Sequence, residues 1–299
     1  MLRIAFALLV CLTGSLAFAQ EREESLVMSA GASSLHKYNV TLFSIASMNS
    51  YQFENSNPAG SSYNYFGINY KIDGDSKVAL RLPFYFNNTG TDRYNKAVTT
   101  DARLADIHVA YVMYDLGYIG DIDLSGNVKY YLPTSERGQD SKSLGGLRFE
   151  LYAEYYFTRF SSITYGIKPQ INFHTQKAFQ DKSVPEEEWG FRDPRKTNKI
   201  AAFEHFIEVV ADVNRIFSLK PRVAVKDDWY YASAEEELEG SQVTKIQLQL
   251  GLEIRAKRGL NFTVGIANES NLGTYKGKEV AFFRPENVSY SLMTNAFLF

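Results

Sequence analysis

The chain has 299 residues, with 32 Lys+Arg against 34 Asp+Glu, a formal net charge of −2, one Cys, and 45% hydrophobic residues. These values exclude a disordered chain, a disulfide scaffold and a bundle of membrane helices, and the near-neutral balance points to no nucleic-acid partner. They leave room for one large β domain, and the 20 Tyr and 21 Phe that supply most of the aromatic content favour strands.

At the start of the chain Arg3 precedes an apolar run from Ile4 to Leu12, and Ala17, Phe18 and Ala19 form a small-x-small cleavage pattern. Residues 1–19 therefore read as a secretory signal peptide, too short and wrongly flanked for a spanning helix. Val10 stands before Cys11 where a lipoprotein signal has a small residue, so lipidation is not expected. Once Cys11 is removed, the rest of the chain contains no thiol, and neither disulfide nor thiolate chemistry is expected of it. Residues 20–34 read as a short flexible periplasmic lead and 35–299 as a single β domain, expected from the strand rhythm below to be a transmembrane β-barrel. With the only long apolar stretch gone, any membrane insertion must use strands.

Period-two alternation then recurs along the chain. It predicts strands over 36–49, 62–72, 76–87, 103–116, 121–132, 146–158, 162–174, 200–213, 217–230, 243–256, 260–268 and 287–299. Ile246, Leu248, Leu250, Leu252 and Ile254, for example, alternate with Lys245, Gln247, Gln249, Glu253 and Arg255. No helix long enough to matter is expected. The connections alternate too. Short turns fall near Asp73–Gly74, Gly117–Gly120, Arg159–Ser161, Asn214–Ile216 and Lys257–Gly259; long polar links fall at 50–61, 88–102, 133–145, 175–199, 231–242 and 269–286. This is the rhythm of a closed up-and-down antiparallel transmembrane β-barrel of about 12 strands, with short periplasmic turns, long extracellular loops and both termini periplasmic. A soluble β-sandwich would show the same alternation with the apolar face turned inward. Aromatic residues near the strand ends suggest two interfacial girdles: Tyr63, Tyr65, Phe84, Phe86, Trp229, Tyr230 and Tyr231 toward the long links, and Tyr114, Tyr118, Tyr155, Phe157 and Phe217 toward the turns.

The last segment, Asn287 to Phe299, ends in Phe297, Leu298 and Phe299. It resembles the closing strand of Gram-negative outer-membrane β-barrels, porin-like, without identifying a subfamily. The resemblance implies an outer-membrane location, contact with outer-membrane lipid and lipopolysaccharide, and a membrane-insertion signal in Phe297 and Phe299 read by the barrel-insertion machinery. Phe297 and Met293 fit the apolar pattern that the family shows on alternate residues, whereas Asn295 and Ser291 depart from it. The opposite set, Tyr290, Leu292, Ala296 and Leu298, is as apolar, so the facing of this strand stays open.

If apolar faces meet lipid, the polar faces line an interior. The basic candidates are Lys77, Arg81, Lys129, Arg148, Lys168, Lys220, Arg222, Lys226, Lys245 and Arg255; the acidic ones are Asp106, Asp123, Glu150, Glu154, Glu204, Glu208, Asp212 and Glu253. A dry, unpaired charge costs several kcal/mol, so such an interior must be wet or tightly paired. A turn at Asn214–Ile216 sets Glu208 opposite Arg222 and Glu204 opposite Lys226. These pairs either stabilise the wall or form a charge ladder that guides ions, with Lys220, Arg222 and Lys226, joined by Arg81 or Lys168, favouring small anions. The loop at 175–199, with Glu186, Glu187, Glu188, Trp189, Arg192, Arg195 and Lys196, is long enough to narrow an entrance.

Enzymatic readings find little support. None of His36, His108, His174 and His205 is followed by Ser two residues on, the spacing of barrel phospholipases, and His108 near Asp106 lacks a third partner. The His spacing matches no metal motif, the Gly residues cradle no phosphate, and the pairs Asp227–Asp228 and Asp73–Asp75 are weak signals for a divalent ion, so no cofactor is expected. The expected function is passive diffusion of small hydrophilic solutes through a narrow charged lumen. The alternatives are a non-conducting surface or adhesion barrel acting through its loops, and a lipid-active outer-membrane enzyme.

Overall fold

Every segment that alternates strongly in sequence pairs with its neighbour in the chain. The computed structural model describes residues 37–50, 60–87, 90–91, 97–98, 101–158, 161–180, 195–232, 240–257, 259–273 and 283–298. The expected signal peptide, the polar lead, His36 and Phe299 lie outside the described residues. The strands are β1 (Tyr38–Asn49), β2 (Ser61–Lys71), β3 (Ser76–Asn87), β4 (Gly90–Thr91), β5 (Ala97–Val98), β6 (Asp101–Leu104), β7 (His108–Ile119), β8 (Ile122–Tyr131), β9 (Ser143–Thr158), β10 (Ser161–His174), β11 (Ala178–Gln180), β12 (Arg195–Thr197), β13 (Lys199–Asp212), β14 (Phe217–Tyr230), β15 (Gln242–Lys257), β16 (Leu260–Gly273) and β17 (Val288–Phe297).

Sequential antiparallel pairing runs from β1 through β3, then β7 to β10, then β13 to β17, and β17 pairs back onto β1 with Thr41 opposite Phe297 and Ile45 opposite Met293. The sheet is therefore a closed barrel of 12 strands, with β6 as an extra strand on the upper end of β3 and two small hairpins, β4–β5 and β11–β12, in the long links. Closure leaves the twelve-stranded ring itself without an unpaired edge strand. The short turns are built locally. At the first, the Asp73 carboxylate accepts hydrogen bonds from the Asp75 amide and the Ser76 hydroxyl, both at 2.9 Å, and these hold its carboxyl below the usual carboxylate range.

Burial along the strands is inverted relative to a soluble protein. On β14, Ser218, Lys220, Arg222, Ala224 and Asp228 are buried, whereas Phe217, Leu219, Pro221 and Val223 are exposed. Arg222 is 2% exposed beside Val223 at 47%, and across the neighbouring strand Leu250 is 49% exposed. A closed ring with ionisable side chains inside and Leu, Val, Ile, Phe and Tyr outside is the opposite of a β-sandwich core, and its outer surface is matched to hydrocarbon. Among the described residues no helix is long and apolar enough to cross a membrane.

Four expectations are corrected. The strand expected over 103–116 is two pieces, β6 and β7, because Ala105–Ile107 leave the ladder: the Ile107 amide donates to Thr134 Oγ1 at 2.8 Å, and Asp106 Oδ1 accepts from the Ser135 amide at 2.8 Å. The link at 133–145 holds a short helix, Glu136–Asp140, capped by Ser135, whose Oγ accepts from the Gly138 amide at 2.9 Å. Strand β16 continues to Gly273 instead of ending near 268, its alternation hidden because outward Asn268 and Ser270 are polar; both are buried, and Asn287 Nδ2 reaches Ser270 Oγ at 3.5 Å. Finally, Tyr63 and Tyr65 are not girdle residues. They share the inward face of β2, where Tyr65 is buried and stacks on Phe43 at 4.9 Å between ring centroids. The open facing of the last strand is resolved: Ser291, Met293 and Asn295 are buried inside with Phe297 in the same set, and Tyr290, Leu292, Ala296 and Leu298 point outward.

Candidate pore lining

The inward residues form rows across the strands, because each antiparallel register step places inward residues opposite one another. One row runs from Asn127 on β8 to Glu150 on β9, then from Lys168 on β10 to Glu204 on β13 and Lys226 and Lys245 on β14 and β15. The expected hairpin register is present: Glu208 lies opposite Arg222 and Glu204 opposite Lys226. The ion pair, however, runs diagonally. Arg222 Nη2 sits 2.6 Å from Glu204 Oε1, and Lys168 Nζ reaches the same oxygen at 3.7 Å.

Three clusters follow around the lumen. In the first, Glu150 is fully buried and receives Arg148 Nε at 2.5 Å and Lys129 Nζ at 3.4 Å, with hydrogen bonds from Asn127 at 2.9 Å and Tyr152 at 2.7 Å. In the second, the Phe206 ring lies between Arg222, whose guanidinium carbon is 3.7 Å from the ring centroid, and Lys168, whose Nζ is 5.0 Å away. Gly166 makes this possible. It is the cross-strand partner of Phe206, and a Cβ there would lie 2.2 Å from the ring. In the third, near the turns, Lys220 pairs with Glu253, Arg255 Nε reaches Glu253 at 2.7 Å, and Arg255 Nη2 reaches Asp212 at 2.9 Å. Nearer the long links, Asp228 is held by Lys199 at 2.9 Å and Lys226 at 3.8 Å, and Lys245 pairs with Glu269 at 2.6 Å.

The structure thus places Arg81, Lys129, Arg148, Glu150, Glu154, Lys168, Glu204, Glu208, Lys220, Arg222, Lys226, Glu253 and Arg255 on the inward set of their strands. It divides the expected cationic cluster, because Lys220 goes to Glu253 and Lys226 to Asp228, while Arg222 joins Lys168. Arg81 lies elsewhere, over the Tyr65 ring at 5.1 Å and in register with His108. His205 faces outward beside Phe203 and Tyr165, at 5.8 and 6.5 Å between ring centroids. The weak acidic pairs are engaged within the chain: Asp227 accepts from Thr244 at 2.5 Å, and among the described residues no group of three potential metal ligands forms.

Sequence reasoning missed the aromatic and apolar side chains inside. Phe43, Ile45 and Phe206 carry no mark of their own beyond a parity shared with polar neighbours such as Thr41 and Glu204, whereas Tyr152 falls in sequence on the polar face with Arg148 and Glu150, and Met293 lies on the strand whose facing the sequence leaves open. At the mouth, Tyr85, Arg103, Asp106, Glu136, Arg137 and Phe179 line a cavity of about 470 Å³.

No family model matches the chain, and no curated protein matches it. Solved structures do share its fold. An outer membrane channel from Pseudomonas putida F1 is 7% identical, with a TM-score of 0.57 over 90% of this chain and 98% of that one. The KdgM porin (6% identical, TM-score 0.46, 86% and 98% covered) and the NanC porin (9%, 0.46, 87% and 100%) are more distant in shape. With its ring closed, its charges inside and its greasy face outside, the chain has the fold of the Gram-negative outer-membrane β-barrels, in a twelve-stranded form.

Proposed function

We propose that the protein is a porin-like outer-membrane channel for passive diffusion of small hydrophilic solutes, with a narrow charged lumen and no catalytic residue. One observation carries this reading: the ionisable side chains of β8 to β10 and β13 to β15 turn into a closed ring whose outer face is apolar. A twelve-stranded barrel lies between the eight-stranded size that side chains fill and the sixteen-stranded size that leaves a wide aqueous bore. Charges that face inward across such a gap serve ions and polar solutes in transit. In this reading the short turns and both termini are periplasmic, lipid and lipopolysaccharide surround the wall, and Phe297 and Phe299 present the closing strand to the insertion machinery.

A second reading rests on a different observation. Arg81, Lys129 and Glu150 are at most 2% exposed, which is what a barrel filled by its own side chains and acting through its outer loops would show. Single-channel recording from purified, folded protein in planar bilayers decides between them. Discrete conductance steps support the channel. Folded protein, verified by its heat-modifiable gel mobility, that gives no current supports the filled barrel.

A further inference from the structure

The apolar outer face of the barrel holds one amide whose hydrogen bonds go unmade. Asn268 points outward from β16, opposite Leu248 on β15 and Val288 on β17, and Leu248 in turn lies opposite Val223 on β14. Asn268 is 3% exposed, and among the described residues neither its Oδ1 nor its Nδ2 has a hydrogen-bond partner. Ser270, two residues on, differs: its Oγ accepts from Asn287 Nδ2 at 3.5 Å. A buried amide gives up its hydrogen bonds to water, and Val and Leu neighbours offer none in return. An apolar residue would escape that cost, so the position calls for a polar partner from outside the chain.

The same residue lines a cavity. Val223, Leu248, Leu250, Ile266 and Asn268 form the wall of a hollow of about 460 Å³ on the outer surface, and Val288 and Phe283, the latter from the link before β17, complete it. Ligand pockets fall in the range of about 300–1,000 Å³. Arg222 and Gln249 also border the hollow, but they lie opposite each other on the inward set of β14 and β15, so Asn268 is the polar side chain on its outward side. Phe283 has left-handed backbone, with φ at 59°, and is 73% exposed. That conformation is uncommon for a bulky residue, and here it belongs to a ring at the edge of an apolar hollow.

We propose that this hollow seats lipopolysaccharide: one acyl chain of its lipid A portion lies along Val223, Leu250 and Ile266, and the hydroxyl or amide group at the head of that chain bonds Asn268. The hollow belongs to the apolar wall, which meets hydrocarbon rather than water. A partner for Asn268 must accept from Nδ2 and also donate to Oδ1. The ester carbonyls of a glycerophospholipid only accept, whereas the hydroxylated and amide-linked acyl chains of lipid A do both. The amide also stands at the correct end. Val288 begins β17 and β16 ends at Gly273, so Asn268 lies toward the long links, which face the leaflet that carries lipopolysaccharide in the orientation proposed above. The inference rests on that orientation and on the outer-membrane location, not on conduction, because a channel and a filled barrel share this outer face.

The experiment compares the folded wild type, Asn268→Leu and Leu250→Trp in detergent micelles doped with purified lipid A or, separately, phosphatidylethanolamine. The unfolding midpoint is followed against lipid fraction, and native mass spectrometry counts the lipid retained. In the wild type, lipid A is expected to raise the midpoint at a several-fold lower fraction than phosphatidylethanolamine, with a single copy bound. Asn268→Leu should be no less stable than the wild type without lipid and should respond to both lipids at the same fraction. Leu250→Trp keeps the amide and fills the hollow, and it should weaken lipid A several-fold. A wild type that answers both lipids alike overturns the seat, as does an undiminished preference for lipid A in folded Asn268→Leu or an undiminished lipid A response in folded Leu250→Trp. Should Asn268→Leu fail to fold, Leu250→Trp decides. Conductance is a separate matter: a wild type that passes no current overturns the channel and leaves the seat standing, and a failed seat leaves the channel.

Discussion

Two halves of one lumen wall are built by different chemistry. On β8 to β10 and β13 to β14 the inward face carries Lys129, Arg148, Glu150, Lys168, Glu204 and Arg222, held to each other and to the Tyr152 and Phe206 rings. Half a circuit away, β17, β1 and β2 turn inward Asn295, Met293, Ser291, Thr41, Phe43, Ile45 and Tyr65, all buried, with Lys71 at the turn end as the ionisable exception. Both halves bury side chains, but the first must satisfy every charge it buries, while the second needs only to fill space. Where a charge is already shared, the removal of one partner leaves others uncompensated. Where side chains are neutral, only volume is at stake.

The sharpest way to break the contrast is Glu150→Gln, which leaves Lys129 and Arg148 facing each other without their common carboxylate. Breaking a buried pair in this way costs about 3–5 kcal/mol, so the unfolding midpoint in detergent should fall steeply. Lys129→Gln should cost less, because it relieves an opposed pair. Next comes Gly166→Ala. The added Cβ would stand 2.2 Å from the Phe206 ring, forcing that ring off the wall and away from Arg222 and Lys168. Overpacking of this kind costs about 1–3 kcal/mol, read as a lower midpoint together with altered conductance. The smallest effect belongs to the neutral half. Met293→Leu conserves volume at a fully buried position and should cost less than about 1.5 kcal/mol, with ion selectivity unchanged. A Met293 variant that shifted selectivity would erase the distinction between the halves.

These halves were unequally legible in the sequence. The charged half announces itself, since Lys129, Glu150 and Glu204 alternate with Val128, Phe149 and Phe203, and once the apolar face is given to lipid their parity assigns them to the interior. Their partners were not legible. Cross-strand register from the Asn214–Ile216 turn correctly sets Glu204 opposite Lys226, but long side chains reach diagonally, and Arg222 takes Glu204 instead. The neutral half has no such marker, because Phe43 and Met293 carry the same character as lipid-facing residues and only the closure of β1 on β17 fixes which way they point. The break at Ala105–Ile107 escaped for another reason: it is held by Thr134 and Ser135, from a link distant in sequence.

The pairing of β1 with β17 also governs how the molecule comes apart. In a closed ring each strand is hydrogen-bonded on both sides, so extraction of any one strand creates two raw edges at once and leaves the rest without a stable intermediate shape. Loss of structure is therefore cooperative around the whole circumference. On a denaturing gel the protein should pass from a fast-migrating to a slow-migrating band over a narrow temperature interval, with nothing in between.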